Sequence, residues 1–284
     1  MAVADFTRIN TNIGAFNALN SLKNVQQQLG VHQLRLSTGK RINEAADDPA
    51  GLTIAIKMQS RASGLGVALD NIGDAKNMLS VAEGGLQKVN DILMKMRDKA
   101  EQAASDTLGS SERSAIAEQI SQFVSEIDDI VNSTKWNGNK LLDGLAAFSS
   151  TVTFQTGPDN EASSKITLTG ASFGAVSSAG LTVNALTVDT AANASTSMAT
   201  VDTAVSAVAG RLQTLGALVA RLNFREETVT VAKVNTEAAY SRIMNADMAY
   251  EQLEATKMQI LQQTATAMLS QANSMPQNVL SLFR

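Results

Sequence analysis

Charged residues of both signs lie close together in one short stretch of the chain, "LSTGKRINEAADDPAG" at positions 36–51. A basic pair follows a glycine, and several carboxylates come soon after it. Such a grouping could hold a phosphate, bind a metal ion or supply a pair of catalytic carboxylates. The residues concerned are Gly39, Lys40, Arg41, Glu44, Asp47, Asp48 and Pro49.

Each of these sites requires a spacing that the stretch does not have. A phosphate-binding loop needs an earlier glycine where this chain has Leu34, and a Ser or Thr where it has Arg41. A calcium loop needs acidic or amide ligands at alternate positions, and Pro49 stands where the second would be. We therefore predict no phosphate, metal or catalytic site in this stretch.

The content of cysteine and histidine argues against an enzyme. The chain has no cysteine and a single histidine, His32, which excludes thiolate zinc sites and multi-histidine metal centres. His32 lies in a leucine-rich helical pattern with no nucleophile pattern nearby, which favours a packing role over that of a general base. We predict no catalytic residue, no metal ligand and no cofactor.

Net charge and hydropathy exclude other classes of partner. A formal charge of -4 and a pI near 5.1 give no attraction to nucleic acid or anionic lipid. The N-terminal "MAVADFTRIN" lacks the apolar region of a cleaved signal, and no apolar run approaches the roughly 20 residues of a membrane span. We predict a protein that is soluble, or that is exported without such a signal, and that does not insert into membranes.

Apolar residues recur at alternating spacings of three and four from position 15 onward, a pattern typical of coiled-coil helices. Gly39 is a natural left-handed stop for the first helix, and Asp48 with Pro49 can cap and begin a second. The first seam contains Ala15, Ala18, Leu22, Val25, Leu29, His32 and Leu36. The second contains Leu65, Leu69, Ile72, Lys76, Leu79, Ala82, Leu86, Val89, Leu93, Met96, Ala100 and Ala103. A third helix carries Ile116, Ile120, Phe123, Ile127 and Ile130, and ends near the turn signals Asn137-Gly138 and Asp143-Gly144.

The middle of the chain changes character. Between Ala146 and Thr200 the composition shifts to Ser, Thr, Ala and Val, and "TVTFQT" and "KITLTG" alternate with a period of two around a Gly-Pro-Asp-Asn turn. This pattern predicts a β-hairpin. Helical spacing returns at Val201 and predicts C-terminal helices that run nearly unbroken for about 70 residues.

The two helical arms at opposite ends of the chain, each with one apolar seam, most simply pair antiparallel. The predicted fold class is mainly α: a long, rod-like antiparallel coiled coil or bundle, with a small central segment that contains a β-hairpin. One pair leaves other apolar flanks uncovered, and we expect further subunits to cover them. These flanks contain Ile9, Ile13 and Phe16, and Met258, Leu261 and Met268.

Three stretches together resemble the bacterial flagellins: "RINTNIGAFNALNSL" near the N-terminus, "LSTGKRINEAADDPAGLTIA", and the C-terminal "ADMAYEQLEATKMQILQQTATAMLSQANSMPQNVLSLFR". The similarity covers residues 1–145 and 200–284 in the order that flagellins have. It implies a structural subunit of the flagellar filament, which polymerises through its terminal helices into the propeller of swimming motility.

The resemblance also implies a division of the chain. Residues 1–36 and 245–284 correspond to the arms of the inner-tube coiled coil, 37–47 to the connecting spoke, 48–145 and 200–244 to the helical rod, and 146–199 to a short β-rich variable segment. The charges of the connector can then pair across the joint or with a neighbouring subunit. The implied inner-tube and interface residues are Ile9, Ile13, Phe16, Leu22, Val25, Leu29, Leu253, Ile260, Leu261, Val279, Leu280 and Phe283.

The partners implied by the family are other copies of the chain in a helical homopolymer, the flagellar export apparatus, an export chaperone, the filament cap and the hook-filament junction proteins. The implied location is extracellular. Some flagellins are also recognised by a vertebrate Toll-like receptor, through a stretch that here keeps Lys95 and Arg97. Lys99 and Gln119 replace the apolar and acidic residues of receptor-active relatives, which predicts reduced signalling.

Two alternatives remain open. The hook-filament junction protein shares the terminal helices but forms only a short ring, and a secreted adhesin could be built on flagellin arms. The "NVLSLFR" ending and the length of the N-terminal match favour a flagellin.

Overall fold

The computed structural model describes residues 11–145, 151–170 and 174–281, with side chains described as far as Met275. The helices in these residues are α1 (Ile13–Thr38), α2 (Pro49–Ala103), α3 (Ser110–Ser133), α4 (Ala191–Met244) and α5 (Met248–Ser281). The strands are β1 (Lys135–Trp136), β2 (Asn139–Lys140), β3 (Thr151–Gln155) and β4 (Lys165–Thr169). The predicted fold class, mainly helical with a small β-hairpin segment, is confirmed.

The chain divides into two compact units. The terminal unit comprises the described parts of residues 1–60 and 235–284, and the central unit comprises those of residues 61–234. Both α2 and α4 contribute to each unit, because the boundaries fall within these two helices.

Local signals in the sequence set the helix ends of the terminal unit. Asn12 accepts the Ala15 N–H at 2.9 Å and so caps the start of α1. Gly39 ends this helix in the left-handed conformation, with φ at 68°, and its N–H donates to the Arg35 carbonyl. The Asp48 carboxylate then accepts the Gly51 N–H at 2.8 Å, beside the first helical residue, Pro49.

The core of the central unit is a layer of apolar side chains from α2, α3 and α4. The predicted heptad residues form the buried side of each helix, so the seams inferred from spacing are the faces that pack together. Fully buried members include Ile72, Leu86, Leu93 and Met96 on α2, Ile127 on α3 and Leu215 on α4.

Two antiparallel hairpins cover part of this core. Asn137 and Gly138, with φ of 47° and 82°, form the tight turn between β1 and β2, as the Asn-Gly pair predicts. In the second hairpin β3 pairs with β4 around the predicted turn, and Val152, Ile166 and Leu168 are buried in alternation with exposed residues. The first turn follows the backbone preference of its Asn-Gly pair.

The C-terminal helices differ from the prediction in where they begin. Helix α4 begins at Ala191, inside the segment expected to be β-rich, where Thr190 accepts the Asn193 N–H. The nearly unbroken helical run has a break between Met244 and Met248, where Asp247 caps the new start by accepting the N–H groups of Ala249 and Tyr250 at 3.0 and 3.2 Å. The interruption frees backbone groups that the connector uses.

One glycine of α2 is required by close packing. An ideal Cβ on Gly85 would lie 2.7 Å from Thr134 Oγ1 and 2.8 Å from a Leu142 methyl, whereas one on Gly84 would meet nothing within 4 Å. We expect Gly85→Ala to destabilise the protein by about 1–3 kcal/mol through overpacking. The matched Gly84→Ala should stabilise it by about 0.5–1 kcal/mol, because alanine restricts the unfolded chain. Urea unfolding of the two soluble variants checks this, and equal stabilisation by both would contradict it.

By length and composition alone, one helix of the described chain, α4, could cross a membrane. Its most apolar 18-residue window has a mean hydropathy of 1.2. Alanine and valine raise the mean without forming an unbroken apolar run. A single helix of this kind is weak evidence for insertion, because core helices of soluble proteins pass the same test.

Candidate assembly surface and connector

The terminal helices α1 and α5 pack against each other in antiparallel orientation. At one end of the pair the Asn12 amide donates to the Ala272 carbonyl at 2.7 Å, and at the other His32 lies against Glu251. Between these contacts Leu29 is buried with Ala255 and Met258. The intervening sequence is more than 200 residues long, so this pairing joins the two ends of the chain.

The arm pair leaves many apolar side chains exposed. Phe16 is 65% exposed and Ile260 59% exposed, and Ile13, Leu253 and Leu261 are also exposed. A groove of about 400 Å³ lies between the helices. Its lining is Gly14, Asn17, Ala18, Ser21, Val25, Leu261, Thr264, Ala265 and Met268. Exposed apolar surface of this extent marks an interaction site.

The predicted interface residues fall into three groups. Leu29 is buried, Leu22 and Val25 are half-buried in the seam between α1 and α5, and the five residues described above face outward. Met258, expected on an uncovered flank, is buried against α1, and that expectation is wrong because the seam of α5 passes through it. Ile9, Phe283 and the side chains of Val279 and Leu280 lie outside the described residues.

The connector between α1 and α2 pairs its backbone with the break between α4 and α5. The Arg41 N–H donates to the Met244 carbonyl at 2.6 Å, and the Ala246 N–H donates to the Gly39 carbonyl at 3.0 Å. Lys40 and Asn245 form the β-bridge between these bonds. Beside them Ile42, an apolar residue that sequence reasoning did not single out, is buried with Ala55 and Met244.

The charged side chains of the connector bind backbone groups more than they bind each other. The Arg41 guanidinium donates to the Ile243 carbonyl at 2.9 and 3.2 Å, and lies 3.8 Å from Asp48 in an exposed ion pair. The Asp47 carboxylate accepts the N–H groups of Asn43 and Glu44 at 2.9 and 3.1 Å. An exposed pair such as Arg41 with Asp48 contributes about 0–1 kcal/mol. Arg41 and Asp47 therefore bind mainly backbone groups.

The pKa of the Asp47 carboxyl is also shifted. The backbone N–H groups of Asn43 and Glu44, and then the charge of Arg35, lower the pKa of Asp47 below its usual range. A carboxyl with a lowered pKa contributes stability that is present at neutral pH and is lost as pH falls through its folded value. The connector is therefore held more firmly at neutral pH than in acid.

The residues of the predicted receptor patch lie in the central unit. Lys95 and Gln119 are exposed, on α2 and α3 respectively. Arg97 lies 2.7 Å from Asp202 of α4, so its guanidinium is already engaged within the subunit. Recognition by a Toll-like receptor stays a prediction. In the part of the chain that the structure describes, no three histidine or acidic side chains are grouped to hold a metal ion.

Comparison with known proteins matches both ends of the chain to one family. The model for the bacterial flagellin N-terminal helical region matches residues 9–147, and that for the flagellin C-terminal helical region matches residues 198–283. The central residues between them carry the hairpin and the start of α4. The two helical regions that build the arms and most of the central core are thus the matched ones.

Relatives of similar length match almost end to end. The flagellin of Halalkalibacterium halodurans is 36% identical over 97% of this chain and 99% of its own length. A flagellar filament 33 kDa core protein of Treponema phagedenis is 35% identical over 97% and 99%. A solved structure of a putative flagellar hook-associated protein from Vibrio parahaemolyticus has a TM-score of 0.56 at 16% identity, over 70% of this chain and 100% of that one, which is a likeness of fold alone.

Three findings agree with one another. The arms are antiparallel and carry an exposed apolar surface, the helical regions at both ends match one family, and the relatives align over nearly their whole length. The chain belongs to the bacterial flagellin family.

Proposed function

We propose that this flagellin, a structural subunit of the bacterial flagellar filament, polymerises by burying the exposed apolar residues of α1 and α5 against other copies of the chain. The observation that carries this proposal is the apolar surface that remains after the two arms have paired, including Phe16 and Ile260. A helical polymer repeats one head-to-tail contact at every subunit, so one surface and its complement on the same chain suffice for growth.

Apolar burial supplies the favourable free energy of assembly. It contributes about 25 cal/mol for each Å² of apolar area removed from water. Ordering of the side chains and of the arms at the contact opposes this gain, so growth is favoured where a template presents the matching surface.

The proposed division of labour follows the family. Residues 1–36 and 245–284 form the inner arms, 37–47 the connector, 48–145 and 200–244 the rod, and 146–199 a short variable segment. The backbone pairing of the connector with residues 244–246 supports a joint that holds the arms in a defined geometry. We also expect export without a cleaved signal. The expected partners are an export chaperone, a filament cap and junction proteins.

Seeded elongation tests this function. Purified full-length chain is added to short seeds sheared from filaments of the same protein, and length is followed by electron microscopy. We expect the seeds to lengthen many times over, while seeds alone and chain alone stay unchanged. Attachment of the chain to seed ends without further growth would contradict the proposal and favour a junction protein, which forms only a short ring.

A further inference from the structure

A carboxylate is buried in the contact between the two arms. Glu251, in the first turn of α5, is 3% exposed and is the only buried charged residue among those whose side chains are described. One of its oxygens lies 2.5 Å from His32 Nδ1, and the other lies 3.5 Å from an Arg35 nitrogen. Both partners belong to α1 and are one turn apart, so a single carboxylate bridges two positions of the opposite helix.

The surroundings leave these groups dependent on one another. Burial of a carboxylate without a partner costs several kcal/mol, so Glu251 is stable only where α1 presents donors to it. The Arg35 Nε is also buried and has no hydrogen-bond partner in the described part of the chain. The three side chains therefore form one cluster, called here the Glu251 cluster.

The apolar residues of α1 do not define one alignment of the arms. Leu22, Leu29 and Leu36 are spaced by seven residues, and the opposite helix presents Ala255 and Met258 to this seam. A slip of one heptad, about 10 Å along the helix, would place one leucine where another had been. The same slip would move Glu251 away from His32 and Arg35, toward residues 25–28 or 39–42.

We propose that the Glu251 cluster, together with the backbone pairing of residues 39–41 with 244–246, sets the axial register of the α1 and α5 pair, with His32 and Arg35 as positioning residues. A single buried polar contact is the established means by which coiled coils select one register, at some cost in stability. In this chain the register also decides which outward-facing side chains of α1 lie beside those of α5. The inference concerns packing within one subunit and does not depend on the proposed assembly contacts.

The absence of cysteine from the chain allows register to be read by engineered disulfides. A disulfide needs Cα atoms within about 7 Å, and a one-heptad slip moves residues by about 10 Å, so each pair reports one register. Leu29→Cys with Ala255→Cys reports the observed register. Leu22→Cys with Ala255→Cys, and Leu36→Cys with Ala255→Cys, report the two slipped ones. Each reporter is placed in the full-length chain and oxidised during seeded elongation.

We expect only the first reporter to form its disulfide in the parent chain. Addition of His32→Leu and Glu251→Leu together removes the polar contact without leaving a lone buried carboxylate. This double variant should lower the ratio of observed to slipped disulfide by about tenfold or more. Glu251→Gln, which keeps a hydrogen-bonding group at the site, should retain the observed register.

A matched control separates this role from a general effect of charge. The Glu254 carboxylate contacts Lys257 of its own helix, at 3.2 and 3.3 Å, and Glu254→Leu should leave the disulfide ratio unchanged. If the double variant does not elongate, the same ratio is read in the soluble chain. The inference would be overturned if the double variant, in the filament or in the soluble chain, formed a disulfide only in the Leu29→Cys with Ala255→Cys reporter. Failure of the parent chain to elongate would instead count against the proposed function.

Discussion

Removal of residues 265–284 should abolish polymerisation while the central unit stays folded. The deletion takes away the part of α5 that carries Met268 of the groove and the carbonyl of Ala272 that binds Asn12. Removal of residues 1–20 should have the same result, because it deletes Ile13 and Phe16 from the exposed surface and the cap of α1. No residue of the central core lies in either deleted segment.

The measurement is seeded elongation of each truncated chain, followed by electron microscopy. Circular dichroism and thermal unfolding of the same samples provide the control, since the central unit should still unfold cooperatively. Truncated chain mixed with full-length chain should stay in solution as the full-length chain elongates. Filaments built from either truncated chain alone would show that the arms are not the assembly surface.

Met96→Ala should cause the largest loss of stability among single substitutions considered for the central unit. Met96 is fully buried between the helices, and its truncation leaves a cavity that costs about 2–5 kcal/mol. Met94, two residues earlier on the same helix, is 55% exposed. Met94→Ala should therefore change the free energy of unfolding by no more than about 0.5 kcal/mol.

Both variants make the same chemical change on α2, so helix propensity changes equally and the difference reports burial alone. Urea unfolding of the full-length soluble chains measures this difference. The shift in the urea concentration at the midpoint of unfolding reports the change in stability when the slope of the unfolding free energy against urea is unchanged. Equal midpoints for the two variants would contradict the placement of Met96 in the core. The comparison also tests the heptad pattern, which includes Met96 in the predicted seam and omits Met94.

Much of the fold follows from signals within a few residues of one another. The left-handed stop at Gly39, the cap and first residue at Asp48 and Pro49, and the tight turn at Gly138 are all present as predicted. The seams of α2 and α4 also match their spacing, because a helix that must bury one side repeats its apolar residues every three or four positions. These features are set by local backbone and side-chain preferences.

Other features depend on contacts that no local pattern contains. The break at residues 245–247 exists beside a connector that takes up its backbone groups, about 200 residues earlier in the chain. The start of α4 at Ala191 was missed because its Ser- and Thr-rich sequence resembles the preceding segment. Glu251 carried no sign of burial in the sequence, since only the arrival of His32 and Arg35 makes burial of a carboxylate tolerable.

The sequence by itself determined the helical class, the seams, the helix ends at the connector and the membership of the flagellin family. Family membership rests on the resemblance of both ends of the chain to flagellins, whereas the other three rest on residue spacing or on interactions within one or two turns, which depend little on the rest of the fold. Only the tertiary structure decided that Arg41 binds the Ile243 carbonyl, that Met258 faces inward and that Glu251 bridges two residues of the other arm. Such contacts join residues about 200 positions apart, and their energies depend on burial, which exists only once the chain has folded.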